Sequence, residues 1–435
     1  MYGLVDCNNF FVSCERVFNP SLNGKTVVVL SNNDGCVIAR SAEAKAAGIP
    51  MGCPAFKIKE HIDPGKVIVL SARHILYRDL SNRVMKILGS ETESLQVYSV
   101  DEAFFKLPHD DVETNHTKMA ELVKKIRQYV GIPVSVGFAP SKTLAKVANH
   151  IAKRDKRITD GVYWLVRPDA IDIILQRTAI EDVWGIGRRL SASLKSHGIN
   201  TAADFVKMPP SLVRSRYSVT LERTQRELMG IDCLTANPVD IAHKSVMTSR
   251  TFGKVITSHD EIADAVVSFA EKTARQLRNE GGIASTIMTY ISGDRFRDDL
   301  PYYSNSCQLR LDTPTNDTMT IVRQALRALN LIWRNGYAYR RAGVMALDIQ
   351  HGGAIQLNVF DSEDHGKLRR LMTSIDGINN QYGTRSIKLA PGIQRGEWAP
   401  NQSHFQNASK TLQFFTGMIE TEKNLDKDTD EMNFD

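Results

Sequence analysis

Tyr98-Ser99-Val100-Asp101-Glu102-Ala103-Phe104-Phe105 sets two adjacent acids between two apolar runs, Leu95–Val100 and Ala103–Leu107. Runs this close read as a β-hairpin with the acids at its turn. Acids are common in turns for conformational reasons alone, so this pair by itself marks a turn more readily than a site. The first twelve residues, Met-Tyr-Gly-Leu-Val-Asp-Cys-Asn-Asn-Phe-Phe-Val, change that balance. Residues 2–6 alternate too little in polarity for an edge strand and are expected to form a short central one, with Asp6 at its C-terminal end. Ionised carboxylates at the rim of a buried sheet are costly unless hydrated, hydrogen-bonded or bound to a cation. Asp6, Asp101 and Glu102 therefore form a candidate divalent-metal site.

Between these stretches the pattern alternates. Asn8–Val17 is expected to be helical, and the adjacent Phe10 and Phe11 cannot share one helix face. Either one of them points into the site beside Asp6, or both are core aromatics. Lys25–Leu30, Val37–Ala39 and Val67–Ser71 read as strands, and the Ala-rich run from Ser41 as a helix ended by Gly48 and Pro50, with Arg40 and Lys45 at its start and middle. Ile75–Gly89 is an amphipathic helix. After the hairpin come a helix at Ala120–Val130 and a strand at Gly131–Gly137. A helix opening at Pro140-Ser141-Lys142 then carries Lys142, Lys146 and Lys153. The order β, α, β, α, β, β, α, β, α predicts a mixed sheet of α+β, ferredoxin-like type.

The chain then becomes helical. Trp184-Gly185-Ile186-Gly187-Arg188-Arg189 places two glycines at the mouth of a helix, with a second helix near Thr201. Backbone N–H groups there can approach a phosphate, with Arg188 adding charge, or the motif is simply a tight turn between helices. Residues 234–243 read as a linker. Beyond them lie strands at Lys244–Val255, Ser285–Ser292, Ser306–Leu311 and Gly343–Gln350, with helices at Asp260–Asn279 and Thr318–Arg334. This is a second α+β unit with a basic face that includes Lys244 and Arg250. Leu357 and Phe360, in the apolar peptide Ala354–Asp361, are candidate anchors for a partner groove. Lys367–Ile378 is helical in pattern, and the acidic, apolar-poor stretch 420–435 reads as a disordered tail.

Bulk properties set limits. A chain of 435 residues is too long for one compact core, and a net charge of +6 favours a polyanionic partner only mildly. Six cysteines without a C-x-x-C pair argue against a zinc site and a disulfide framework. Neither a secretory signal nor an apolar span near 20 residues is evident, so cytoplasm is the default.

Taken in order, Asp6-Cys7-Asn8-Asn9-Phe10-Phe11, Ser99-Val100-Asp101-Glu102 and Gly185-Ile186-Gly187 resemble the motifs of Y-family translesion DNA polymerases. The C-terminal extension and Gln356-Leu357-Asn358-Val359-Phe360 are similar to those of UmuC-type catalytic subunits of bacterial DNA polymerase V. The resemblance implies a multidomain right-hand fold: a palm at 1–24 and 76–165, small fingers at 25–75, a helix-hairpin-helix thumb at 166–233, and a little finger at 244–350. Residues 351–435 would be an extension with a clamp-binding motif. It implies low-fidelity, template-directed DNA synthesis in the SOS damage response, with two Mg²⁺ ions. Asp6 and Asp101 would bridge the metals, Glu102 would hold the ion near the primer 3′-hydroxyl, and the Cys7 carbonyl would ligate the nucleotide-side ion. Asn9, Phe10 and Phe11 would line the nucleotide site, Phe11 as steric gate against a ribose 2′-hydroxyl, while Lys45 and Lys153 would bind triphosphate. Ala42 stands where relatives often have a phosphate-binding tyrosine, and Lys45 where arginine is common and would offer a bidentate fork. Gly185, Gly187, Arg188, Lys244 and Arg250 would contact DNA, and Gln356, Leu357 and Phe360 the β sliding clamp. A processed UmuD-type dimer and a RecA filament would be further partners, a membrane would not, and the protein would be associated with the nucleoid when active. Two rivals are a nucleotidyl cyclase on a similar palm and a non-catalytic DNA-binding scaffold. The first has no use for the helix-hairpin and the second basic unit, and the second predicts that Asp101 and Glu102 are dispensable.

Overall fold

A computed structural model describes residues 1–107, 112–154, 160–234, 243–295, 297, 299–351, 364–383 and 386–387. The first unit begins with β1 (Tyr2–Cys7) and α1 (Phe10–Phe18), and resumes with α3 (His74–Glu91), β5 (Glu93–Val97), β6 (Glu102–Lys106), α4 (Val112–Val130), β7 (Val134–Ala139), α5 (Lys142–Arg154) and β8 (Val162–Trp164). Its five strands lie in the order β5-β6-β1-β7-β8, with β1 antiparallel to both neighbours. The first four strands have the ferredoxin-like βαββαβ arrangement. The fifth, β8, pairs parallel to β7 and has no counterpart in the sequence reading, because three residues are too few to show a period.

β1 shows little alternation because both of its faces are covered. Val5 and Cys7 pack into a core with α1, α3 and α4, whereas Tyr2 and Leu4 pack with α5 and the helical unit that follows. Gly137 of β7 lets α5 lie directly on the sheet: a Cβ there would stand 2.1 Å from the Asn149 nitrogen and 2.5 Å from the Ala145 carbonyl oxygen. The contact is tied by Asn149, whose amide donates to the carbonyls of Leu4 (3.2 Å) and Ser135 (2.8 Å).

Between α1 and α3 the chain forms a separate three-stranded sheet from β2 (Val27–Leu30), β3 (Val37–Arg40) and β4 (Ile68–Ser71), with the short helix α2 (Ala42–Ala46). Ser41 caps α2 by accepting from the Ala44 N–H. Arg40 ends β3 instead of opening the helix, and its guanidinium donates to the Ile49 carbonyl. α4 begins at Val112, eight residues before the expected Ala120, because its polar first turns carry few apolar residues at helical spacing.

The helical unit comprises α6 (Pro168–Arg177), α7 (Arg188–Lys195), α8 (Ala202–Val206), α9 (Pro210–Arg216) and α10 (Val219–Leu228). Thr201 and Asp204 form a reciprocal capping box at α8. The last unit, β9 (Ser245–Ile256), α11 (His259–Asn279), β10 (Gly282–Ser292), β11 (Ser304–Thr315), α12 (Thr318–Ile332) and β12 (Tyr339–His351), is again βαββαβ, yet its strands are ordered β11-β10-β12-β9. α13 (His365–Tyr382) docks against α11 through a fork from Arg278 to Asp376, 2.6 and 2.9 Å. Residues 235–242 of the expected linker, the 356–360 motif and the acidic tail lie outside the described residues. Among the described residues no helix is long and apolar enough to cross a membrane.

Candidate active site

The register of the first sheet brings the acids together. Asp6 pairs directly with Glu102 across β1 and β6, and the Cys7 N–H donates to the Asp101 carbonyl at 2.8 Å. Ser99 shapes the turn: its hydroxyl donates to Asp101 Oδ1 at 2.6 Å and accepts from the Glu102 N–H at 3.0 Å. The turn that presents Asp101 and Glu102 is thus pinned to the end of the central strand.

Asp6 and Glu102 lie on the α5 face of the sheet, in line with Leu4 and Phe104. Two lysines of α5 meet them there, Lys153 pairing with Asp6 and Lys146 with Glu102 at 2.7 Å. The seven-residue interval of Lys146 and Lys153, two turns of one helix face, was the sequence signal for this pairing; Lys146 is a site residue that sequence reasoning did not single out. Its ammonium also lies 4.7 Å from the centre of the Tyr98 ring and 5.1 Å from Trp184, joining the acidic turn to the loop before Gly185.

Burial drives the Asp6 carboxyl well above the ordinary carboxylate range despite Lys153. Glu102 moves the other way: burial would raise it, but the hydrogen bond with Asp6 and the Lys146 ammonium pull it down. The facing carboxyls therefore diverge, the more deeply buried Asp6 rising and the lysine-paired Glu102 falling. Asp101 is raised by burial, against the Ser99 hydrogen bond. Among the described residues no three His, Cys, Asp or Glu side chains are gathered closely enough to hold a metal as they stand. In kind the three carboxylates suit a hard divalent ion, and the lysines compete for the same lone pairs.

Asn9, with φ 49°, opens α1 and accepts from Lys45 Nζ at 2.6 Å, which brings α2 to the mouth of the site. Phe10 is buried in the core, and Phe11 is the partly exposed one, stacked on Tyr77 at 4.3 Å between centroids. Gly185, Gly187 and Arg188 are exposed at the start of α7, and Gly185 has φ 88°, which a side chain disfavours. Lys244 is exposed before β9. Arg250 is half-buried; burial lowers the His74 imidazole of α3, and the Arg250 charge nearby lowers it further.

A βαββαβ sheet with acids at the end of its central strand, a small second sheet, a helical unit and a second βαββαβ sheet make up the fold of Y-family DNA polymerases. The chain aligns with a Y-family polymerase chimera of Dbh and Dpo4 at TM-score 0.62 and 22% identity, covering 81% of this chain and 99% of that one. It aligns with Dbh polymerase in an insertion ternary complex at TM-score 0.50, 22% identity and the same coverage.

The chain belongs to the impB/mucB/samB family, whose model matches residues 5–150 and whose C-terminal domain model matches 243–359. It is 41% identical to Protein UmuC of Salmonella typhimurium over 92% of this chain and 95% of that protein. It is 38% identical to Protein ImpB of the same organism over 92% and 94%. With DNA polymerase IV 2 of Bacillus subtilis it shares 27% over 90% and 94%.

Proposed function

We infer that the chain is a template-directed DNA polymerase of the translesion type, adding deoxynucleotides to a primer during the SOS response to DNA damage. The observation that carries this reading is the strand register that sets Asp6 opposite Glu102 and fastens Asp101 beside Cys7. Asp6, Asp101, Glu102 and the Cys7 carbonyl would hold two Mg²⁺ ions, which, when bound, supply activation of the primer 3′-hydroxyl and neutralisation of the leaving pyrophosphate.

The chain's own groups do the rest. Lys153 and Lys146 balance the acids until the triphosphate binds, when Lys153 exchanges Asp6 for phosphate. Lys45, held at Asn9, adds a second cation at the phosphates, a point charge without a bidentate fork. Phe11 bounds the sugar, and the buried Phe10 supports it. Residues 1–24 with 76–165 act as palm, 25–75 as fingers, 166–233 as thumb and 244–350 as little finger. Gly185, Gly187, Arg188 and Lys244 grip the duplex through its phosphates; Arg250 acts from the junction with the palm. A β sliding clamp docks on Gln356, Leu357 and Phe360, and a processed UmuD-type dimer and RecA complete a cytoplasmic complex.

Primer extension by the purified full chain, with Mg²⁺ and those partners, tests the reading. Asp101→Ala is expected to lower extension about a thousandfold. Equal extension by wild type and variant would remove the metal-site assignment.

A further inference from the structure

Phe11 and Glu15 lie one turn apart on α1, and Arg73 and Tyr77 one turn apart at the start of α3. The two pairs interlock. The Phe11 ring lies on the Tyr77 ring at 4.3 Å, tilted by 16°, with the His74 ring edge-on to Phe11 at 5.9 Å. One turn away, Glu15 receives both arms of the Arg73 guanidinium, the Nε contact being 3.0 Å. The Tyr77 hydroxyl closes the loop by donating to Glu15 Oε1 at 2.7 Å. Glu15 is 3% exposed and Tyr77 fully buried, so this is an internal bracket. It also spans the neck of the inserted three-stranded sheet, since the chain leaves α1 at Phe18 and returns at Arg73.

An aromatic wall rejects one extra hydroxyl only if the wall cannot retreat. A ring carried on the first turn of a short helix has rotamer freedom unless something stands behind it. Behind the ring stands Tyr77, which is held at its ring by core packing and at its hydroxyl by a buried carboxylate. The carboxylate is in turn fixed by a planar, two-armed partner. We propose that Glu15, Arg73 and Tyr77 are positioning residues that set the sugar selectivity of this polymerase by fixing the Phe11 ring. The inference rests on the reading of Phe11 as the wall against the 2′-hydroxyl.

Single-nucleotide incorporation by the full chain on primer–template with Mg²⁺, using matched ribo- and deoxynucleoside triphosphates, gives the ratio of their kcat/KM values. Tyr77→Phe keeps the ring and its volume and removes only the hydroxyl. It is expected to raise ribonucleotide use relative to deoxynucleotide about three- to tenfold, with Glu15→Gln at least as large. Arg73→Lys keeps the charge but not the fork, and is expected to fall between wild type and Glu15→Gln. Phe11→Ala is measured alongside. If it raises the ratio while Tyr77→Phe and Arg73→Lys leave it at the wild-type value, or slow both sugars equally, the bracket is structural only and the inference is wrong. If Phe11→Ala itself leaves the ratio unchanged, the wall reading falls and the inference with it.

Discussion

Asp6 is costly where it stands: a carboxyl at the end of a strand covered on both faces, with a second carboxyl directly across the ladder. The protein meets that cost with Lys153 beside Asp6 and with Lys146 beside the facing Glu102. These devices are reversible. A divalent cation carries the charge to replace either lysine beside the acids. Phe11 is the opposite case, since its neighbours on α3 hold it in one place. On the proposed role of Phe11 as the wall against the 2′-hydroxyl, Phe11→Ala is expected to raise ribonucleotide incorporation about ten- to a hundredfold, measured by single-nucleotide insertion.

At the scale of elements, the contact of α5 with the first sheet aligns the chemistry. α5 delivers Lys146 and Lys153 to the acids and Asn149 to the carbonyls of β1 and β7, and it approaches that closely only because residue 137 is glycine. A methyl group at 137 would meet backbone atoms that cannot swing aside. Gly137→Ala is therefore expected to destabilise the unit by about 3 kcal/mol, read as a lowered urea midpoint, and to reduce polymerase activity by displacing both lysines. The turn before α7 is tied to the same place, since Trp184 Nε1 donates to the Tyr98 hydroxyl at 3.3 Å and both rings flank Lys146.

Across the whole molecule, two units that share a βαββαβ core do different things. The first buries both faces of its sheet and raises acids at one end, whereas the second presents the basic residue Lys244 at the entry to β9. Asn33, between β2 and β3, donates to the Thr251 carbonyl of β9 at 2.6 Å, so the small inserted sheet touches the C-terminal unit. The 356–360 peptide follows that unit in the sequence and is the proposed clamp-docking segment. Replacing Leu357 and Phe360 by Ala is expected to abolish binding to the sliding clamp in a pull-down or titration while leaving clamp-independent primer extension near wild type. Retained clamp binding would remove the docking role.

Local patterns carried much of this protein's reading. Hydrophobic period placed most strands and helices within a few residues, the two acid-bearing stretches pair at one end of the first sheet, and the Gly-x-Gly motif lies in the helical unit. Period failed where elements are too short or too polar to display one, as in β8 and the first turns of α4. The strand orders are invisible to it, because β5-β6-β1-β7 and β11-β10-β12-β9 arise from the same succession of elements, and only long-range packing chooses between them. The same holds for the partners of the site residues. Sequence carries the identity of Asp6, Lys153, Glu15 and Arg73, but which charge answers which depends on the face each element turns to its neighbour. Tertiary structure alone decides that, because desolvation and pairing are properties of the packed interior and not of the chain.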